Sequence, residues 1–571
     1  MGAMDAATIH RRRWVGLGVC CLSLLVIGLD NTILNVALRT LADDLGATTG
    51  QLQWIVDGYT LVFAGLLLTA GSLGDRFGRR SALSLGLVVF CTGSVLSAFA
   101  TEPAHLIATR SLMGVGGALI MPATLSLLTN LFTDPKERGR AIGVWAGVSG
   151  MGIAVGPLLG GWLLEHHSWH SVFLVNIPVT LVALPAGYFL LPNSRSETPQ
   201  RLDPVGAVLS IVGLVALVYA IIEAPVVGWS DPEVAGAGVV ALVVLSAFVW
   251  WQLRSDHPML DVRFFQNRRF TAASLAVTMV FFALFGSMFV ITQFMQYVLG
   301  YSPLQAGVRS MPLALMMMVG APISARVAEK VGTKAIVAFG MALVAGGLAL
   351  AATATPELGY LPRIFPAQLL MGAGIAMAMA PATESIMGSL PRDKAGVGSA
   401  VNDTTRQVGG ALGVAIIGSV LAGSYGPGVQ DRLGATFTSI AGAPGGGAEA
   451  AASVSDSITG AFAVAARAGG SPTAIDTEAG RQIAQAAQDA FAASMGRSLL
   501  IGAGFALLGA LIALLFLPAR AADPLVDEDD GGPVDAPDTA LDGDAGVLPV
   551  PVVTGDGGAG ALAGAGGQVV D

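Results

Sequence analysis

The chain has 571 residues, of which 53% are hydrophobic and only 12% are charged. A soluble domain carries about 25% charged residues, so this composition excludes an ordinary soluble enzyme, a disordered chain and a nucleic-acid-binding protein. The net charge of −9 arises in the C-terminal tail, because no Lys or Arg follows Arg520, and the body before it carries 30 basic against 28 acidic residues.

Runs of apolar residues long enough for a helix to cross a bilayer recur along the chain. The first run follows Arg11–Arg13 like the apolar core of a signal peptide, but no small-residue cleavage site follows it, so we expect it to be retained. The sequence predicts an all-α polytopic membrane protein with fourteen transmembrane helices, at 14–34, 51–73, 81–100, 104–130, 140–163, 171–191, 205–223, 234–252, 271–297, 306–325, 335–354, 364–388, 396–422 and 498–517.

The basic residues indicate the orientation of these helices. An even number of spans places both termini on one side of the membrane. Of the 30 Lys and Arg residues, 21 fall in the termini and loops of one side. The positive-inside rule assigns that side to the cytoplasm, so both the N- and the C-terminus are predicted to be cytoplasmic.

The sequence also resembles itself at a large offset. GSLGDRFGRR at 71–80 aligns with ARVAEKVGTK at 325–334, and LMGVG at 112–116 aligns with LMGAG at 370–374. Two similar offsets in the same order predict two six-helix pseudo-repeat bundles, and parallel repeats are typical of transporters whose substrate path lies between the halves. We expect the bundles at 1–192 and 269–520, with two linker helices within 193–268.

Two segments are predicted to lie outside the bundles. Residues 423–497 form a long extracytoplasmic loop rich in Ala and Gly, in which stretches such as 478–495 have helical spacing and favour a helical hairpin. Residues 521–571 are rich in Gly, Pro and Asp, which is typical of a disordered tail, here a cytoplasmic one.

The loop after the second helix has a distinctive order of glycines and charges. Glycines permit tight turns and close helix approach, and Asp75 lies among arginines with which it can pair across the interface between bundles. Glu329 occupies the equivalent position in the second half, so both acids are predicted to belong to conformational locks. The residues predicted to take part in gating are Gly71, Gly74, Asp75, Arg76, Gly78, Arg79, Glu329, Gly156 and Pro157.

This loop resembles the signature loop of the major facilitator superfamily. LIATRSLMGVGGA at 106–118 is similar to the fourth-helix motif of that family, with Arg110 as its membrane arginine and Met113 where Gln is frequent. GVSGMGIAVGPLLGG at 147–161 resembles the fifth-helix motif of drug antiporters, in which we expect Gly156 and Pro157 to serve packing and hinge motion.

LDNTILNVAL at 29–38 resembles the first-helix motif of the fourteen-helix drug:proton antiporter branch, although Arg39 stands where Pro is usual. The resemblance covers residues 14–520. It implies a proton-coupled antiporter that exports hydrophobic, cationic drugs across the cytoplasmic membrane. Such a transporter works as a monomer in the lipid bilayer, with the proton gradient in place of a cofactor.

Ionisable groups within the spans are costly, at about 2.5–3.5 kcal/mol each on insertion scales, and usually functional. The predicted proton-coupling residues are Asp30, Asp57, Arg110, Glu384 and Asp403. A carboxylate in a low-dielectric environment has a raised pKa, which a nearby arginine lowers again, and Asp30 with Arg110 is the first predicted coupling pair.

Each acid has an alternative interpretation. Asp30 could cap the first helix, Asp57 could be interfacial, Glu384 could extend to the membrane surface, and Asp403 could pair only with Arg406. The predicted substrate-cavity residues are Trp54, Tyr59, Asn35, Asn402 and Arg406.

No metal site is predicted, because His166, His167 and His170 indicate a polar loop. No nucleotide-binding loop of the Gly-x-x-x-x-Gly-Lys-Ser/Thr type is present in the sequence, so we do not expect ATP to drive the protein directly. Two alternatives remain open: export of an endogenous metabolite, lipid or siderophore, and a membrane scaffold or enzyme without transport activity.

Overall fold

The computed structural model describes residues 6–195, 202–390, 395–443, 446–468 and 477–518, and the predicted acidic tail lies outside these ranges. The described residues are helical and contain no strand. Fourteen helical segments in this part of the chain are long and apolar enough to cross a membrane, which confirms the predicted fold class.

The helices, in chain order, are α1 (Ala6–Leu45), α2 (Thr49–Phe77), α3 (Arg79–Ala98), α4 (Pro103–Leu131), α5 (Pro135–His166), α6 (Ser171–Leu174), α7 (Asn176–Leu190), α8 (Pro204–Val227), α9 (Pro232–Arg254), α10 (Arg268–Gln293), α11 (Pro303–Val331), α12 (Thr333–Ala351), α13 (Phe365–Met387), α14 (Ala395–Leu433), α15 (Ala435–Ala441), α16 (Gly447–Asp456), α17 (Ile458–Ala468) and α18 (Glu478–Phe516). Helices α6 and α7 together make one crossing, and α15–α17 are too short to make one.

Two predicted boundaries were wrong around the loop at 423–497. Helices α14 and α18 are each 39 residues long, so the first residues of the predicted loop continue α14 and its last twenty or so begin α18. Residues 478–495 are helical, as their spacing indicated, but they belong to α18 and not to a separate hairpin. Hydropathy detects only the part of a helix that lipid would surround. Beyond that part, α14 continues with Gly-rich and polar turns, and α18 begins with Ala-rich ones.

The structure repeats itself at the offset seen in the sequence. Helix α2 begins with a capping box of Thr48 and Gln51, and α11 begins with a capping box of Ser302 and Gln305, each 254 residues later. Both helices end at a glycine with positive φ, Gly78 (φ 115°) and Gly332 (φ 96°). L-residues with side chains rarely adopt this conformation, so the two halves turn into their third helices by the same device.

Glycine contacts inside each half are repeated as well. A Cβ on Gly86 of α3 would lie 2.9 Å from the carbonyl oxygen of Gly116 in α4. In the second half, a Cβ on Gly340 of α12 would lie 2.6 Å from the carbonyl oxygen of Gly374 in α13. These distances are shorter than ordinary van der Waals contact, so glycine lets the backbones of both helix pairs touch.

The two halves meet along two seams. Helix α2 packs against α14, and α5 packs against α11. Because α11 repeats α2 and α14 repeats α5, the same pseudo-two-fold relation exchanges the two seams. The linker helix α8 packs against α2, α14 and α9, and therefore touches both halves along the first seam.

The linker hairpin is fixed at one end by Asp203, which caps α8. Its carboxylate accepts hydrogen bonds from Gly206 N (2.8 Å), Trp251 Nε1 (2.9 Å) and Gln252 Nε2 (2.7 Å). Burial raises the pKa of this carboxyl, but these hydrogen bonds outweigh the effect of burial and hold the pKa below its usual value. Asp203 therefore joins the start of α8 to the end of α9.

We predict that Asp203→Ala lowers the apparent melting temperature of the purified protein. Loss of a buried, charge-assisted acceptor costs about 1–3 kcal/mol, and the donors of Trp251 and Gln252 would remain without it. Since the folded-state pKa is lowered, the parent should lose this contribution only as the pH falls through that value. Asp231→Ala, at the exposed cap of α9, is the matched control, and an equal loss in both variants at neutral pH would contradict the prediction.

Candidate functional site

The structure places Asp30 of α1 and Arg110 of α4 in direct contact. Their side chains form an ion pair, and the two residues are 2% and 1% exposed. Arg110 Nε also donates to the carbonyl oxygen of Ile55 at 3.3 Å, and its guanidinium lies 4.5 Å from the centre of the Tyr59 ring. The pair that the sequence singled out is therefore a buried cluster contributed by α1, α2 and α4.

A polar residue that the sequence analysis did not single out completes this cluster. Asn176, at the junction of α6 and α7, is a second hydrogen-bond partner of Asp30. Its Nδ2 also donates to Ser94 Oγ at 3.1 Å, and Ser94 Oγ donates to the carbonyl oxygen of Phe173 at 2.7 Å. A lone amide in an apolar span also costs free energy to desolvate, although less than an ionised acid, and that signal would have identified Asn176.

Asp57 of α2 is buried in a different way. Its side chain is fully buried, and neither carboxylate oxygen has a hydrogen-bond partner within the described residues. It lies one helical turn from Gln53 and Leu61, which pack towards α14. The side chain is therefore enclosed by neighbouring helices. Among the described residues of the first half, one deeply buried acid, Asp30, is thus paired, and another, Asp57, is not.

The acids of the second half differ from these two. Asp403 and Arg406 of α14 are 3.7 Å apart, in agreement with the alternative that they pair with each other. The Arg406 guanidinium also lies 5.4 Å from the centre of the Phe281 ring. Glu384 is exposed near Arg269, so the structure does not bring it into a buried cluster.

Most of the predicted cavity residues do not line an open cavity in this conformation. Tyr59 is fully buried and stacks on Phe63. Trp54 packs against Tyr219 of the linker helix α8. Tyr59 is therefore enclosed in this conformation, whereas Trp54 is half-buried beside α8.

The two asparagines in that set are also enclosed. Asn35 is 2% exposed and donates to the carbonyl oxygen of Asn31 at 3.2 Å. Asn402 is 5% exposed and accepts a hydrogen bond from Thr383 at 3.3 Å. Arg406, the fifth, keeps a side chain that is 24% exposed.

The signature loop is tied to its own half. Asp75 Oδ1 accepts from Arg79 Nε at 2.8 Å, and Arg79 Nη1 donates to the carbonyl oxygen of Ser126 at 3.3 Å. Arg80 Nη1 donates to the carbonyl oxygens of Tyr188 and Leu191 at the end of α7. Among the described residues, the ion pair of Asp75 in this conformation is with Arg79 of its own half and not across the bundles.

The other predicted gating residues near this loop contact different side chains of the first half. A Cβ on Gly78 would overlap the side chain of Asn193, whereas Gly71 and Gly74 face Pro122 and Ala82 at ordinary contact distance. Arg76 lies over the ring of Phe77. The side chain of Glu329 lies outside the part of the chain that the structure describes.

Helix α5 shows where the two halves touch. Gly139, Gly143, Gly150, Pro157 and Gly161 follow one another at spacings of four or seven residues, so they share one face of the helix. At one end of this face, a Cβ on Gly161 would lie 2.6 Å from the carbonyl oxygen of Pro303 in α11. At the other end, no described atom lies within 4 Å of the Cβ positions of Gly139, Gly143 and Gly150.

The open end of α5 lies on one side of the protein, which we call the basic face because it carries Arg13, Arg76, Arg79, Arg80 and Arg269. The opposite side is called the far face.

Gly156 packs on Thr32 of α1, whose Oγ1 donates to the carbonyl oxygen of Gly152 at 3.0 Å. The Pro157 carbonyl oxygen lies against Gly307 of α11. Gly156 and Pro157 thus serve close packing on two sides of α5.

Hydrogen bonds between the halves in the described part of the chain lie towards the far face. Gln53 Nε2 of α2 donates to the carbonyl oxygens of Val414 (3.1 Å) and Ala415 (2.9 Å) of α14. Gln296 Nε2, just beyond α10, donates to the carbonyl oxygen of Val36 in α1 at 2.9 Å. With the free end of α5, these bonds describe halves that are closed at the far face and separated at the basic face.

Comparison with known proteins agrees with this architecture. Residues 20–414 match the family profile of the Major Facilitator Superfamily. The chain is 36% identical over 481 residues to the multidrug efflux pump LfrA of Mycolicibacterium smegmatis, covering 83% of this chain and 95% of LfrA. It is 39% identical over 417 residues to the puromycin resistance protein pur8 of Streptomyces alboniger, covering 72% and 82%.

A solved structure shares the fold. It is a bacterial homolog of the human lysosomal transporter Spinster in an inward-facing, unoccupied conformation, with a TM-score of 0.60 at 19% identity, covering 89% of this chain and 98% of the other. The repeated halves, the family profile and the relatives together show that this chain is a membrane transporter that belongs to the major facilitator superfamily.

Proposed function

We propose that this protein is a proton-coupled antiporter that exports hydrophobic, cationic compounds across the cell membrane. The names of its relatives, an efflux pump and a resistance protein, support export of toxic compounds. The observation that carries the proposal of proton coupling is the contrast between Asp30, which is paired with Arg110, and Asp57, which is buried without a partner.

We further propose that the basic face is cytoplasmic, together with both termini, in accordance with the positive-inside rule. The conformation described here is then open to the cytoplasm and closed to the outside. The protein would work as a monomer, with the proton gradient as its energy source and no cofactor.

Burial decides which acid carries a proton in this conformation. An isolated ionised carboxylate in a low-dielectric interior costs several kcal/mol, and a buried acid avoids this cost by binding a proton. Asp57 would therefore be protonated, whereas the guanidinium of Arg110 lets Asp30 remain ionised. Protonation of Asp30 in another conformation would release Arg110, which makes Asp30 the second proton carrier.

Exchange follows from the same electrostatics. A substrate cation that enters from the open basic face supplies the positive charge that Asp57 lacks, so it can replace the proton, which leaves to the cytoplasm. Rocking of the two halves then exposes the loaded site to the outside, where protons displace the cation. Asp57 thus binds either a proton or the cation, so that the cation is exported while protons are imported.

The function predicts gradient-dependent transport. Everted membrane vesicles that contain the protein should accumulate a fluorescent lipophilic cation when a proton gradient is present. In such vesicles the cytoplasmic face of the membrane is outside, so export carries the cation into the vesicle. Accumulation should collapse on addition of a protonophore and should not require ATP once the gradient is imposed. Transport that persists without the gradient would contradict the proposal.

Asp57→Asn and Asp30→Asn should each reduce gradient-driven transport by about tenfold or more, because an amide cannot carry the proton. Both amides preserve the side-chain volume, and the amide oxygen at position 30 can still accept a hydrogen bond from Arg110. Because Arg110 loses its counter-charge in Asp30→Asn, expression level and melting temperature are measured beside transport. Asp44→Asn removes an exposed acid from the same helix as Asp30 and should transport like the parent. Normal transport by Asp57→Asn would exclude Asp57 as a proton carrier, and the same result with Asp30→Asn would exclude Asp30.

The proposed lock predicts a separation of binding from turnover. If Asp75 pairs across the bundles in the outward-facing state, Asp75→Asn should bind substrate normally but transport it slowly, since it favours the inward-facing state. An exposed pair is worth only about 0–1 kcal/mol, so we expect a reduction of up to about fivefold. Glu478→Gln breaks an exposed pair with Arg481 on the far face and is the control. Weaker binding with an unchanged inward/outward distribution would refute the gating role.

A further inference from the structure

The far end of α10 does not finish as a regular helix. Residues Phe294–Val298 form a π-helical turn in which Leu299 N donates to the Phe294 carbonyl oxygen at 3.1 Å. Tyr301 N donates to the Met295 carbonyl oxygen at 3.0 Å. The carbonyl oxygens of Gln296 and Tyr297, which come next, accept from side chains of other helices. Such π-turns are frequent at functional sites, and this one is buried.

The first half holds this turn through Arg39 of α1. Arg39 Nη1 donates to the carbonyl oxygen of Gln296, and its guanidinium lies 4.9 Å from the centre of the Tyr297 ring. In return, Gln296 Nε2 donates to the carbonyl oxygen of Val36 at 2.9 Å. The two halves therefore exchange hydrogen bonds at this point.

The segment between α14 and α18 holds the same turn from the other side. Tyr297 Oη and Thr459 Oγ1 of α17 are 2.7 Å apart and share a hydrogen bond. Gln488 Nε2 of α18 donates to the carbonyl oxygen of Tyr297 at 3.3 Å. The ring of Tyr297 also contacts those of Phe462 and Phe491.

The space beneath this turn is closed. A cavity of about 10 Å³ is lined by Leu52, Tyr297, Tyr425 and Thr459 among others, and the buried hydroxyl of Tyr425 has no hydrogen-bond partner among the described residues. This volume accommodates roughly one water molecule. A hydrophobic substrate cannot pass here unless the surrounding helices move apart.

We propose that Arg39 and the π-turn form a latch that keeps the exit closed, and that Thr459 positions Tyr297 within it. The inference rests on the proposed orientation, which makes the far face extracytoplasmic. Helix α1 belongs to the first half and α10 to the second, so opening to the outside must break the bonds between Arg39, Gln296 and Val36. Through Thr459, the short helix α17 determines how easily they break.

The test measures opening without any substrate. In a background with Cys20, Cys21 and Cys91 replaced, Leu52→Cys places a thiol at a position that is 3% exposed beneath the latch. A membrane-impermeant maleimide is applied to intact cells, and the labelling rate is followed. Asp44→Cys, at an exposed site on the far face, is the reference thiol, and both reporters are combined with each latch variant.

Arg39→Ala should increase the labelling rate of Cys at position 52 by about tenfold or more, because it removes a charge-assisted hydrogen bond and a cation–π contact. Arg39→Lys should restore part of the closure. Thr459→Val and Tyr297→Phe should each increase the rate by about two- to tenfold. The double variant Thr459→Val/Tyr297→Phe should be labelled no faster than either single variant, because both changes remove the same hydrogen bond. Arg481→Ala, at an exposed arginine on the same face, should have no effect.

Unchanged labelling at position 52 in Arg39→Ala, with normal expression and melting temperature, would overturn the latch. An effect of Arg39→Ala without one of Thr459→Val would overturn the positioning role of α17. If the exposed Cys at position 44 is not labelled from outside, the proposed orientation fails, and that failure is distinguishable from failure of the latch. A loss of gradient-driven transport without faster labelling would also count against the latch.

Discussion

The cost of leaving a charge or polar group without a partner in an apolar interior governs this structure. Asp30 is tolerated between α1 and α4 because Arg110 pairs with it and Asn176 lies beside it, whereas Asp57 has no hydrogen-bond partner among the described residues. The same cost explains why the carbonyl oxygens freed by the π-turn are occupied by Arg39 and Gln488. Apolar packing cannot supply a hydrogen-bond partner to a buried polar group, so each of these polar contacts requires one particular arrangement of the helices.

The contacts between the halves divide into two kinds with different consequences. On the far face, hydrogen bonds from Gln53 and Gln296 and the backbone contact at Gly161 join the two halves. On the basic face, the corresponding part of α5 offers glycines that contact no other described residue. A glycine surface can close against a neighbouring helix and separate again with few specific bonds to break. Separation at the far face must instead break the hydrogen bonds of Gln53 and Gln296.

Much of the fold could be predicted from the sequence, because membrane helices are recognisable as long runs of apolar residues. The repeat was also visible in the sequence, and the structure explains it: the equivalent glycines, Gly78 and Gly332, have the same positive φ. Helix ends beyond the lipid could not be placed, because the Gly-rich end of α14 and the Ala-rich start of α18 carry no hydropathy signal. Of the site, the contact of Asp30 with Arg110 was anticipated, because an isolated buried arginine requires an acid. The burial of Tyr59 and the role of Asn176 were not, since both depend on which helix lies opposite.

The free glycine face of α5 also affects how substitutions in this protein should be interpreted. A larger residue at Gly143 or Gly150 would meet no described atom in this conformation, so the folded protein should tolerate it and purify normally. If α5 closes on α11 in a second conformation, the same residue would obstruct that closure. Such damage would be invisible to any assay of folding or abundance that samples only the conformation described here. A catalogue of tolerated substitutions based on stability alone would then class as neutral the residues that the second conformation requires.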